Sequence, residues 1–319
     1  GVLQGSGLLH AGLELLATLL RQVHVVEPHV ERQGVEDQAH GRKHIQATAH
    51  VSFLVEHDAH QERLVGQRFD GHGFRVGEEF LINADADSGT QADPSVADLG
   101  NGRFVVAWRD DQGGSHDKNT GNAATGDSAD VRGQIFTTEG DGGSDLGTPV
   151  EDGGDFRINT YTSGTQSNTS VTGLKDGGFV VTWQSNGQDG SDYGIYGQRY
   201  DDTGGPVGDE FQINTRTYDQ QYEPSVTGLA NGEFVVTWWD SSAHNRTQDG
   251  FTDTSNYAVF GQKFTTASVD TPAADGSQFQ VNSTTYHHQD KPDVAGFSDG
   301  SFVVTWESYN QDGSREGIA

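Results

Sequence analysis

Acidic side chains gathered on glycine-rich stretches are the residues of this sequence best suited to chemistry. Asp110, Asp111, Asp117, Asp127 and Asp130 follow Trp108, and the run Asn186-Gly-Gln-Asp189-Gly-Ser-Asp192 follows Trp183. Asp240, Asp249 and Asp253 follow Trp238, and Asn310-Gln-Asp312-Gly follows Trp306. Oxygen-only ligands on such turns suit calcium. Asp110, Asp111, Asp189, Asp192, Asp249, Asp253 and Asp312 are therefore the expected calcium ligands. None of these runs places acids at positions 1, 3, 5 and 12 of a twelve-residue loop, and acidic turns that only keep the chain soluble are the competing account. Trp108, Trp183, Trp238 and Trp306 recur at one offset and read as packing residues, whereas Trp239 occurs once and is the expected ligand contact. The pair His40/His44 has the i,i+4 spacing of helical zinc ligands, but Gly41 stands where a metalloprotease carries Glu. No residue is marked as catalytic.

Composition removes several other chemistries. The 319 residues hold 47 acidic and 19 basic side chains, a net charge of −28, with neither cysteine nor methionine. Disulfides, thiolate metal sites and cysteine nucleophiles are excluded. No apolar run is long enough for a transmembrane helix, and the charge opposes nucleic acid and anionic membrane surfaces while favouring cations. Residues 1–63 stand apart: they are histidine-rich, with leucines at helical spacing over 7–26, a stop near Pro28, and an irregular stretch beyond.

The elements that must position these residues repeat from residue 64 onward. Gly-Gln occurs at Gly66, Gly133, Gly197 and Gly261, in steps of 67, 64 and 64 residues. Phe-Val-Val-(Thr/Ala)-Trp starts at Phe104, Phe179, Phe234 and Phe302; (Ile/Val)-Asn ends at Asn83, Asn159, Asn214 and Asn282; a third anchor closes on Val96, Val171, Val226 and Val294. The residue opening that third anchor precedes the Trp by 14 positions in every copy, from Pro94 to Trp108 through Pro292 to Trp306. Each copy thus has a fixed kernel and one elastic loop. The spacing predicts four strands: a first strand such as 224–229, a tight Asn-Gly or Asp-Gly turn with both central residues at positive φ, an apolar second strand such as 234–238, then a third at 195–200 and a fourth at 210–214.

Four antiparallel strands in about 64 residues, repeated in tandem, predict an all-β fold: a β-propeller-like array of four-stranded blades behind an N-terminal segment with a short helix. A sandwich module needs more strands and a solenoid coil fewer residues. The expected boundaries are 1–63, a partial unit 64–83, full units near 94–159, 169–214 and 224–282, and a partial unit 292–319. The ends are expected either to pair with each other or to belong to an array that runs on in a longer chain.

The phrase from Asp176 to Asp201, with Phe211-Gln-Ile-Asn-Thr215, resembles tandem repeats of large secreted bacterial proteins of the hemolysin-type calcium-binding (RTX-like) and surface-adhesin group. The resemblance spans 64–319 and is specific for the repeat, although the Gly-Gly-x-Gly-x-Asp nonapeptides of that group are lacking. It implies an extracellular or cell-surface location and a calcium-rich setting. The expectation is a non-enzymatic scaffold for adhesion or display, calcium-stabilised, engaging a glycan or protein ligand and further repeats of its own chain. The alternative is a carbohydrate-active or other hydrolytic enzyme, with its site on the acidic loop face or in a module outside these residues.

Overall fold

Runs of β-branched and aromatic residues favour extended backbone, and the Phe-Val-Val-(Thr/Ala)-Trp runs form the second strand of four sheets. The computed structural model describes residues 56–58, 63–83, 90–111, 129–138, 147–241, 257–266, 270–284, 287–309 and 317–318, and every regular element in them is a strand. The expected helix over 7–26 and the His40/His44 pair lie outside these residues. Blade 1 contains β1 (Glu56–Asp58), β2 (Arg63–Phe69) and β3 (Arg75–Leu81). Blade 2 contains β4 (Thr90–Gly100), β5 (Arg103–Asp111), β6 (Asp130–Thr137) and a divided outer strand, β7 (Val150–Glu151) and β8 (Phe156–Arg157). Blade 3 comprises β9 (Gln166–Gly173), β10 (Phe179–Asn186), β11 (Tyr193–Tyr200) and β12 (Pro206–Gln212). Blade 4 comprises β13 (Gln221–Gly228), β14 (Phe234–Asp240), β15 (Ala258–Thr265) and β16 (Ala273–Gln280). Blade 5 contains β17 (Gln289–Gly296), β18 (Phe302–Ser308) and β19 (Gly317–Ile318). All pairings are antiparallel, and the array is the β-propeller type that the repeat predicts. Among the described residues the first and last sheets are separate.

The cores lie between blades. Phe179, Val181 and Trp183 of β10 pack on Val105, Ala107 and Val131 of blade 2, while Val180 faces Phe234, Val236 and Trp238 of blade 4. A strand covered on both faces needs apolar residues at consecutive positions, which is why the run does not alternate.

The hairpins differ from the expectation in three blades. Asn101 and Gly102 both have positive φ (53° and 72°), as a two-residue turn requires. In the others only the glycine does: Gly177 N–H donates to Leu174 O at 3.0 Å and Leu174 N–H to Gly178 O at 2.7 Å, a turn ending in a glycine bulge. The extra residue accounts for the change. The fourth strand also begins earlier than predicted, at Pro206, and its ladder stops at Gln212 because Asn214 Oδ1 takes the N–H of Ile195 at 2.7 Å.

That asparagine is a joint in each repeat. Asn83, Asn159, Asn214 and Asn282 accept from the third-strand N–H of Leu64, Val131, Ile195 and Val259 at 2.7–2.9 Å. Their Nδ2 groups donate to Gln91, Gln166, Gln221 and Gln289 at 2.9–3.3 Å, tying each blade to the first strand of the next. Removing Asn214 leaves a buried N–H without an acceptor. Asn214→Ala is expected to cost about 1–3 kcal/mol, read from a lowered denaturant midpoint; an unchanged midpoint would contradict this role. In the Gly-Gln anchor, a Cβ on Gly66, Gly197 or Gly261 would meet the ring of Phe80, Phe211 or Phe279 at 2.5, 3.1 or 2.7 Å. The glutamine that follows donates across the turn between third and fourth strands, as Gln198 Nε2 does to Arg199 O at 2.9 Å and Gly208 O at 3.2 Å.

The first strands of successive blades lie side by side and are hooked together. Val171, Val226 and Val294 N–H groups donate to Ser95, Ser170 and Ser225 Oγ of the preceding blade at 3.1, 3.1 and 3.2 Å. Gly228 and Gly296 N–H donate to Thr172 and Thr227 Oγ1 at 2.9 and 3.2 Å. The (Pro/Thr)-(Ser/Asp)-Val anchor is thus the latch of the inner ring.

Candidate functional site

Each of the four described first strands is broken at one equivalent place, and β4 carries a second shift between Asp98 and Gly100. The register shifts between Ala92 and Ser95, Ser167 and Ser170, Tyr222 and Ser225, and Asp290 and Asp293. In the extra loop of each bulge one non-glycine residue is left-handed: Asp93 (φ 52°), Asn168 (52°), Glu223 (51°) and Lys291 (49°). Such backbone costs on the order of 1–3 kcal/mol per residue and concentrates where a side chain must be aimed. Proline follows at Pro94, Pro224 and Pro292, tolerated because a bulge leaves an N–H outside the ladder.

Opposite the bulge stands the residue after the recurrent Trp: Arg109, Gln184, Trp239 or Glu307. Three of the bulges contact it directly. Asn168 Nδ2 donates to Gln184 Oε1 at 2.9 Å, Trp239 Nε1 donates to Glu223 Oε2 at 3.0 Å, and Lys291 Nζ pairs with Glu307 at 3.1 Å. Neighbouring bulges also touch, since Gln184 Oε1 accepts the Glu223 N–H at 3.1 Å and Asp93 Oδ2 accepts the Asn168 N–H at 3.4 Å. The surrounding Val, Gln and Trp positions repeat from blade to blade, yet this doublet holds different chemistry in every blade. A scaffold position needs one side chain repeated; a ring of unlike side chains on one backbone geometry is what a ligand site needs.

Glu223 is the member of the ring whose environment changes its acidity. Burial holds its carboxyl above the usual glutamate range; the Trp239 N–H and the Lys291 charge oppose this, and the charges of Asp290 and Glu307 reinforce it. The adjacent Tyr222 hydroxyl is pushed up to about 12, chiefly by burial. A raised carboxyl keeps its proton in the folded chain after the unfolded chain has lost it. Stability therefore falls as pH rises from the ordinary value of 4.5 through the raised one, and is flat above both. The difference in melting temperature between wild type and Glu223→Gln should grow in the variant's favour across that window; a pH-independent difference would contradict the shift.

An aromatic file runs past this carboxyl. Tyr193 of blade 3 lies 5.2 Å from Tyr222, which lies 4.6 Å from Trp239. Trp239 lies 4.8 Å from Tyr257, and Tyr257 lies 4.3 Å from His288 at the start of blade 5. All five sit where the elastic loops and the connections between blades emerge.

The four expected metal ligands that are described each have partners of their own. Asp110 is buried, accepts from Gln91 Nε2 at 3.1 Å and lies 3.6 Å from Arg132 Nε, while Asp111 pairs with Arg109 at 3.2 Å. Asp189 accepts the Ser191 N–H within its own turn at 2.9 Å, and Asp192 accepts from Gln220 Nε2 at 2.8 Å. Asp249, Asp253 and Asp312 lie outside the described residues. Among the described residues no three acidic or histidine side chains converge as a metal set. Trp239 is half-buried at the centre of the aromatic file. Glu223, Asn168, Lys291 and Gln184 escaped the sequence reading because they match no recurrent anchor.

No family model and no curated protein matches the chain. Solved structures do. An endo-arabinase from Bacteroides thetaiotaomicron is 14% identical, with 86% of this chain and 94% of that one covered, at a TM-score of 0.40. An α-L-arabinanase from Penicillium chrysogenum, solved with arabinobiose, is 14% identical over 85% of this chain and 69% of that one, at 0.44. An α-L-arabinofuranosidase from Fusarium graminearum is 14% identical over 72% and 60%, at 0.42. The likeness is one of fold. It supplies no residue correspondence, but it corrects the resemblance to calcium-binding RTX-like and adhesin repeats, since the three structures named are glycoside-cleaving enzymes. The expectations of a non-enzymatic display scaffold and of a calcium-binding adhesin are corrected with it. The physical reason is that the tandem anchors specify how blades join, and such joints are indifferent to what the blade ends do.

Proposed function

We propose that this chain is a carbohydrate-active hydrolase whose site is the bulge ring at the inner ends of blades 3 to 5. The observation that carries the reading is Glu223: a left-handed, half-buried glutamate with a raised pKa, bonded to the unrepeated Trp239 and flanked by tyrosines. Glycoside cleavage needs a carboxylic acid that is still protonated when it meets the glycosidic oxygen, and a second carboxylate to support the positive charge developing on the sugar. Glu223 suits the first role. Asp290 and Glu307, both of which act electrostatically on Glu223, are the candidates for the second, with Lys291 paired to Glu307. The Trp239 N–H favours the charged form of Glu223 and so limits how far its pKa rises. The likeness in fold to arabinan-cleaving propellers agrees with this reading and does not carry it.

The test is release of reducing ends from a panel of arabino-, xylo-, fructo- and gluco-oligosaccharides. Hydrolysis of at least one class is expected, with an alkaline limb in kcat/KM set by Glu223. Trp239→Phe removes the bond that favours the carboxylate, so that limb should move to higher pH. Hydrolysis of none of the panel, or a limb that stays put, would contradict the assignment.

A further inference from the structure

The aromatic file extends well beyond the reach of Glu223. From Tyr193 the rings pass through Tyr222, Trp239 and Tyr257 to His288 in steps of 4.3–5.2 Å, and His288 lies 6.3 Å from Tyr309. The file crosses two blade boundaries, from blade 3 over blade 4 to blade 5, around the ring rather than out along a single blade. Successive rings are inclined by 37–62°, so they do not form one closed stack in which each covers its neighbour's face. His288 and Tyr309 at the far end are exposed. The blade cores are complete without these rings, since Trp183, Trp238, Phe179 and Phe234 fill them on the other side of each second strand.

We propose that this file is a binding track for an extended, uncharged oligosaccharide, laid across blades 3 to 5 with one of its linkages at Glu223. The inference deepens the hydrolase reading and rests on it for the position of the bond. Aromatic faces bind the C–H faces of sugar rings, and tyrosine and tryptophan offer such area beside a polar edge. Polar partners flank the track: Gln220, bonded to Asp192 Oδ2 at 2.8 Å and to the Tyr222 hydroxyl, and the Lys291–Glu307 pair. Asp192, Glu223, Asp290 and Glu307 make its surroundings acidic within a chain of net charge −28, so an anionic glycan is repelled where a neutral one is not.

Isothermal titration of Glu223→Gln with neutral arabino- and xylo-oligosaccharides of one to six residues tests this, alongside oligogalacturonates of the same lengths. Affinity for one neutral series should rise about tenfold or more between one and four residues, each tenfold step being about 1.4 kcal/mol. The acidic series should bind at least about tenfold more weakly, the separation shrinking as salt screens charge. Tyr257→Ala should remove most of the length dependence. The exposed variants His288→Ala and Tyr309→Ala should weaken only the longest ligands, with unchanged melting, which covers the case of a Tyr257 variant that does not fold. Equal affinity at all lengths, no effect of the three variants, or no binding at millimolar concentration overturns the track. Length-dependent binding without hydrolysis by wild type sinks the hydrolase reading and leaves the track standing; hydrolysis without length dependence does the reverse.

Discussion

Glu223→Gln is expected to lower glycan hydrolysis by about 10²–10⁴-fold, the usual contribution of a positioned general acid. Glutamine keeps the size of the side chain and an oxygen for the Trp239 N–H, which donates at 3.0 Å. It removes only the transferable proton. The folded chain holds that carboxyl above its ordinary range by burial, so the variant should melt no lower than wild type near neutral pH. A purely structural glutamate would give the opposite pattern, with stability falling and no specific loss of rate. Retention of hydrolysis within about threefold of wild type would remove Glu223 from the chemistry, a factor of three being under 1 kcal/mol of barrier.

Gly228→Ala should be strongly damaging in the inner ring. A Cβ at Gly228 would lie 2.6 Å from the carbonyl oxygen of Gly173, and at Gly173 it would lie 2.2 Å from that of Asp98. These neighbours are backbone and cannot rotate away. The first strands of blades 3 and 4 must separate, stretching the bonds from Gly228 N–H to Thr172 Oγ1 and from Val226 N–H to Ser170 Oγ. A loss of about 3 kcal/mol or more is expected, at the upper end of overpacking costs. Gly276→Ala is the control: its φ is +78° and nothing lies within 4 Å, so only the backbone term of about 1–2 kcal/mol applies. Equal losses at the two sites would refute the close-approach account.

The inner ring was legible in outline and hidden in detail. Gly-Gln, the Asn joint and the Ser-Val latch are visible because every blade must solve the same packing problem with the same side chain. A further anchor, Gln91, Gln166, Gln221 and Gln289, was equally present in the sequence, seven or eight residues after each Asn, and its role becomes plain only through the Asn–Gln bonds. The three-residue hairpins were missed because Asp-Gly and Asn-Gly fit either turn, and the residue that separates the two conformations, such as Lys175, carries no turn signature.

The candidate site was obscured for a different reason. Carboxylates on the elastic loops draw attention by number, yet Asp110 and Asp192 are occupied by neighbours within the fold. Glu223 is one acid among 47 acidic side chains, and what distinguishes it is a left-handed bulge that no residue pattern announces. One signal was available: the residue before each latch reads Asp93, Asn168, Glu223 and Lys291 while its surroundings repeat. Trp239 was singled out by that logic, being the Trp without counterparts.

The central claim is that the bulge ring of blades 3 to 5 receives a glycosidic bond at Glu223. The most direct measurement is a crystal structure of Glu223→Gln with a neutral oligosaccharide that the wild type hydrolyses. The account predicts sugar rings across Trp239 and Tyr257, with a glycosidic oxygen within about 2.6–3.2 Å of the side chain at position 223. A ligand seated on the opposite face, at the turns around Asp176 or Asn231, or one with no glycosidic oxygen in reach of that side chain, would contradict it.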